Sequence, residues 1–134
     1  MTLATTGQKT VLVIEDDPWT RTITTALLAG EGFAVVEAKN GEEGLSLARE
    51  HGPDAVLLDL ALPTKSGLEV LRELKSSEIT SDIPVIIVSA YGTLMNENDA
   101  HRAEGVIQKP FDYDDLVGRV EQATTRAHAA VALT

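Results

Sequence analysis

Four short apolar stretches of the chain end on a side chain that can do chemistry. Glu15, Asp16 and Asp17 follow Val11 to Ile14, and Asp59 follows Ala55 to Leu58. Ser89 follows Pro84 to Val88, and Lys109 follows Gly105 to Gln108. Carboxylates that meet repel one another unless a pKa rises or a hard cation sits between them. Oxygen ligands with no His or Cys beside them favour Mg2+ over zinc, with Mn2+ an alternative. Mg2+ takes one or two carboxylates, keeps waters and shares phosphate oxygens. Lys109 adds a compact positive charge and Ser89 a hydroxyl donor. This set suits a transferred phosphoryl group: cation and lysine offset charge on its oxygens, and one carboxylate can act as nucleophile.

Taken singly, each signal has a plainer explanation. Asp17 before Pro18 reads as a helix cap. A lone Asp59 reads as a loop residue, Lys109 as a surface charge and Ser89 as a turn former. Their weight comes from recurring at consistent strand ends. In open α/β sheets the site lies beyond the carboxyl ends of the strands, at the point where strand order reverses. In the order 2-1-3-4-5, strands one and three are neighbours, which brings the acids of the first to Asp59.

The elements that must do this positioning alternate along the chain. Val11 to Ile14, Phe33 to Glu37, Ala55 to Leu58, Pro84 to Val88 and Gly105 to Gln108 read as five strands. Several are apolar throughout, as in a parallel sheet covered on both faces. Helices are expected between and after them. The first carries Ile23, Ala26, Leu27 and Gly30 at helical spacing. The second opens at Asn40-Gly41, with Leu45 and Ala48 inward and Leu47 flanking. The third carries Leu68, Val70, Leu71 and Leu74. The segment from Tyr91 to Glu104 has a weak apolar pattern and predicts a short or mobile helix. Asp112 caps the last helix, with Asp115 in a capping-box position. Residues 1–9 read as a loose extension, 10–127 as one domain and 128–134 as a frayed small-residue tail.

The chain has 134 residues, a length that fits one domain. It has no cysteine, which excludes a disulfide framework and a thiolate metal site. A net charge of −10 speaks against nonspecific nucleic-acid binding, which needs clustered Lys and Arg. No apolar run approaches the roughly 20 residues that span a bilayer. The first ten residues carry neither a long apolar stretch nor a basic leader. A cytoplasmic location is expected by default, with no membrane insertion.

The segments VLVIEDDP, AVLLDLALPTKSG, PVIIVSA and IQKPF resemble the response regulator receiver domain of two-component signalling. The resemblance spans roughly residues 10–127. It implies a doubly wound, flavodoxin-like α/β fold with a five-stranded parallel sheet and helices on both faces. Residue by residue, Asp59 resembles the phosphoacceptor and Asp16 the direct metal ligand. Glu15 resembles the acidic neighbour that usually holds the metal through water, and the backbone carbonyl of Ala61 a further ligand. Ser89 resembles the switch hydroxyl, with small Ala90 beside it, and Lys109 the family lysine. Pro110 resembles a proline whose preceding bond is usually cis, and Gly67 the glycine that closes the loop after the acceptor. Val106 departs from the pattern, since the family usually has Tyr or Phe there. The aromatic half of the switch is then missing, and readout is expected to rest on the loop after Ser89 and on the segment up to Glu104.

The implied activity is that of a signalling phosphoacceptor, not a metabolic enzyme, which assists its own phosphotransfer and dephosphorylation. A histidine kinase or phosphotransfer domain would be the donor, Mg2+ the cofactor, and a monomer or weak dimer the working form. No output domain fits after residue 127, so action through partner binding is expected; an excised receiver of a larger regulator is the alternative. A haloacid-dehalogenase-type phosphatase would need an acid where Ala61 stands. A flavodoxin-type cofactor binder would place phosphate against Glu15, Asp16 and Asp17, and no GxGxxG or Walker sequence is present. A receiver-shaped module that is never phosphorylated would have no use for the full set of acids, hydroxyl and lysine.

Overall fold

The computed structural model describes residues 8–90 and 95–133, with side chains as far as residue 125. The elements follow in the order β1 (Thr10–Ile14), α1 (Pro18–Gly30), β2 (Ala34–Ala38), α2 (Gly41–His51), β3 (Ala55–Asp59), α3 (Gly67–Ser76), β4 (Val85–Ala90), α4 (Glu97–Arg102), β5 (Gly105–Lys109) and α5 (Tyr113–Leu133). The sheet is parallel throughout, in the order β2-β1-β3-β4-β5. This is the doubly wound architecture expected from the alternating pattern.

The continuous apolar strands follow from the twofold alternation of strand side chains. Leu12 and Ile14 of β1, with Val56 and Leu58 of β3, face a core completed by Leu45 and Ala48 of α2 and Val70, Leu71 and Leu74 of α3. Val11, Val13 and Leu57 face the opposite core, completed by Leu28 of α1 and by Leu116, Val120 and Ala123 of α5. A strand between two cores has no polar face to show. Each buried aliphatic side chain contributes roughly 1.5–3 kcal/mol, which fixes the strands and therefore the residues at their ends.

Local signals start the helices. The Asp17 carboxylate accepts from the Thr20 amide (2.8 Å) and the Thr20 hydroxyl (2.6 Å), so Asp17 is the cap its sequence context implied. Asn40 caps α2, and Ser66 with Glu69 forms a reciprocal capping box on α3.

Several details differ from the sequence reading. The inward face of α1 is Thr24 and Leu28, whereas Ala26 and Gly30 are exposed. Apolar spacing alone selected the neighbouring stripe; threonine can supply an inward position one turn from leucine. β2 lies one residue later than expected, at Ala34–Ala38. In the weak segment, α4 forms at Glu97–Arg102, while residues 91–94 lie outside the described residues. The Asp112 carboxylate accepts from the Asp114 amide, but Asp115 pairs with Arg119 instead of closing a capping box. α5 continues through the stretch read as a tail, to Leu133. Its alanines are the strongest helix formers, which the small-residue composition disguised.

Candidate functional site

β1 and β3 are neighbours in register, with Ile14 opposite Leu58, so the residues that follow them meet at the carboxyl edge of the sheet. Glu15 and Asp59 are buried there and Asp16 is exposed. One carboxylate oxygen from each lies within 4.8 Å of the other two. Lys109 arrives from the end of β5. Its ammonium donates to Glu15 Oε1 at 3.1 Å and to Asp59 Oδ2 at 3.3 Å. The other Asp59 oxygen, Oδ1, accepts from the Ala61 amide at 3.0 Å. The Asp16 carboxylate has no hydrogen-bond partner among the described residues.

The electrostatics match this crowding. Glu15 is pushed up to about 7, first by burial and then by the hydrogen bond and the charge it shares with Asp59; the Asp17 amide and Lys109 oppose the rise. Burial by itself pulls the Lys109 ammonium down, but the charges of Asp59 and Glu15 outweigh it and hold its pKa above the ordinary lysine value. The pocket thus concentrates more negative charge than one lysine neutralises. Its donors are oxygens at a spacing that one hard cation can bridge, directly at about 2.1 Å or through water. The acids present fit Mg2+ or Mn2+.

The remaining residues singled out by sequence stand around this centre. Ser89 is buried in β4, and its hydroxyl donates to the Ala90 carbonyl at 2.8 Å. Ala90 lines an open groove of about 400 Å3 together with Ile23, Lys109, Pro110, Phe111 and Tyr113. The Lys109–Pro110 peptide bond is cis. Gly67 sits where a Cβ would come within 2.4 Å of the Asp59 carbonyl oxygen and 2.5 Å of Leu60 Cα. Only glycine lets α3 start that close to the end of β3. Val106 is 44% exposed on β5.

Two contributions escaped the sequence reading. The Ala61 amide fixes one Asp59 oxygen, a backbone role invisible in the identity of an alanine. Arg21, on α1, donates from one guanidinium nitrogen to the carbonyls of Glu15 (2.8 Å) and Asp16 (3.4 Å). Its spacing from the acids was a signal, but surface arginines on helices are common.

A family model described as the response regulator receiver domain matches residues 11–121. The chain belongs to this family. Among curated relatives, the receiver is 38% identical over 115 residues to the polar-differentiation response regulator DivK of Brucella anthropi, covering 84% of this chain and 94% of DivK. It is 34% identical over 120 residues to the phosphate regulon transcriptional regulatory protein PhoB of Pseudomonas aeruginosa, covering 88% of this chain and 52% of PhoB. The chain therefore spans about half the length of PhoB and nearly all of DivK. Among solved structures, a response regulator receiver domain protein from Clostridium thermocellum matches with a TM-score of 0.83 at 31% identity, covering 91% of this chain and 98% of that one. Among the described residues, no helix of the receiver is long and apolar enough to cross a membrane.

Proposed function

We propose that this receiver accepts a phosphoryl group on Asp59 from a phosphohistidine of a histidine kinase or phosphotransfer protein, and signals through altered partner binding. The observation that supports it best is the Lys109 ammonium bridging Glu15 and Asp59 inside the three-acid cluster. An Asp59 carboxylate oxygen forms the new O–P bond through a remaining lone pair as the donor's N–P bond breaks and its imidazole leaves with the electron pair. Lys109 offsets charge gathering on the phosphoryl oxygens, the Ala61 amide holds the acceptor carboxylate, and Ser89 is the hydroxyl available to bond the product. Glu15, Asp16 and Asp59, with the Ala61 carbonyl, would hold the cation. Mg2+ bound there supplies charge neutralisation of the acids and of the transferring group.

The cleanest test uses a small acyl phosphate and Mg2+, with intact-protein mass spectrometry as readout. The wild-type chain gains one phosphoryl group, and Asp59→Asn gains none. Equal labelling of the two would sink the assignment. For readout, the exposed Val106 offers no ring to turn inward, so the change is expected in α4. Hydrogen exchange there should change with a phosphoryl mimic.

A further inference from the structure

We infer that Arg21 is a positioning residue that sets the affinity of the acidic pocket for its divalent cation. The inference rests on the phosphoacceptor reading above. Asp16 is the most exposed of the three acids, and no described residue orients its carboxylate. Its direction therefore depends on its own backbone, at a point where β1 has ended and α1 has not begun. Arg21 holds that backbone. Its side chain is only 19% exposed. It reaches back from the first turns of α1 to the Glu15 and Asp16 carbonyls. These acceptors lie past the end of the β1 strand. The short bond to Glu15 is part-buried and carries most of the hold, while the longer bond to Asp16 is exposed. A carbonyl left unpaired away from water is costly.

Arg21 is itself aimed. Its Nε lies 3.9 Å from the Glu37 carboxylate at the end of β2, and the Thr25 hydroxyl of α1 bonds the same Glu37 group. The chain of contacts runs from β2 through α1 to the loop that carries two of the three acids. A planar guanidinium can span a carboxylate on one side and two carbonyls on the other; a lysine ammonium at this position cannot reproduce that geometry. Arg21 bonds the backbone carbonyls of Glu15 and Asp16 and not the carboxylates of the cluster, so its effect is on the placement of Asp16 and Glu15.

The test uses the whole chain and Mg2+ alone, titrated without a phosphodonor. Binding is read by isothermal titration calorimetry. Arg21→Gln should weaken Mg2+ binding on the order of ten-fold, as loss of the groups that orient metal ligands typically does. Arg21→Lys should recover only part of that loss. Glu37→Gln, which leaves Arg21 in place but unaimed, should shift affinity the same way by less. At saturating Mg2+, acyl-phosphate labelling of Arg21→Gln should return towards the wild-type rate, the mark of a binding defect. Amides of residues 15–17 should exchange faster in the metal-free variant. If Arg21→Gln does not fold, Arg21→Lys and Glu37→Gln carry the same measurement. Unchanged Mg2+ affinity in folded variants overturns the inference while leaving the phosphoacceptor reading intact. Failure of the wild-type chain to bind Mg2+ or take label overturns both.

Discussion

β3 is buried along its whole length and hands Asp59 to the site from between two neighbouring strands. β5 lies at the sheet edge, leaves Val106 and Gln108 exposed, and hands over Lys109. The helices beside them repeat the contrast. α3 buries Gly67, Val70, Leu71 and Leu74. α4 buries Asp99, whose carboxylate takes two hydrogen bonds from the Arg72 guanidinium of α3, at 3.1 and 2.8 Å. One half of the site edge is thus fastened by apolar packing, which is insensitive to charge. In the other half, β5 is held by its ladder to β4 and by Ile107, while α4 is tied to α3 through an ion pair, which can be exchanged at lower cost. The phosphoryl chemistry proposed above needs fixed acids, and a signal needs something that moves. The molecule assigns these demands to different kinds of contact.

The largest effect should come from disturbing the packed half at its closest approach. Gly67→Ala forces a Cβ onto the Asp59 carbonyl and Leu60 Cα. It should cost about 3 kcal/mol in denaturant unfolding and slow acyl-phosphate labelling, because the backbone of Asp59 must shift. A variant with wild-type stability and labelling would show that α3 can back away, and the rigid half would lose its definition.

A smaller and more local effect should follow from cutting the ion pair. Asp99→Asn should speed hydrogen exchange in α4 on the order of ten-fold, while amides of β1 and β3 keep their protection. Arg72 holds the Asp99 carboxyl below the usual carboxylate range. A lowered folded-state pKa stabilises at full strength above the unfolded value of about 3.9 and is lost as pH falls through the folded value. An NMR acid titration should therefore show α4 loosening below about pH 4 in the wild-type chain and no such step in Asp99→Asn. Uniform loosening of all elements would erase the distinction between the halves.

The smallest effect concerns the loop that follows Asp59. Thr64 has φ 60°, a left-handed conformation that a β-branched residue adopts at a cost. Thr64→Gly should raise stability by roughly 0.5–1 kcal/mol, the strain relieved minus the added entropy of the unfolded glycine. A loss of stability would mean that the Thr64 hydroxyl bond to the Pro63 carbonyl outweighs the strain.

The sequence made the packed half legible and left the other half obscure, for one physical reason. Burial on both faces writes itself into a strand as an unbroken apolar run, so β1, β3 and β4 and their terminal Glu15, Asp59 and Ser89 were readable directly. Ion pairs leave no period. Arg72 and Asp99 are 27 positions apart, and nothing local marks them as partners. The same blindness hid Arg21, whose acceptors are backbone carbonyls. On α1, Thr24 was passed over because its polar label concealed an inward position.

At the other edge of the sheet, where β1 begins, the Lys9 ammonium reaches the Thr125 hydroxyl of α5. Lys9 and Thr125 therefore both lie on the side remote from the acids. α5 runs roughly 30 Å at 1.5 Å per residue, well beyond the length of a strand. A fluorophore attached at position 9 or 125 would stand clear of the acidic edge. The fold thus comes with handles already turned away from its working surface.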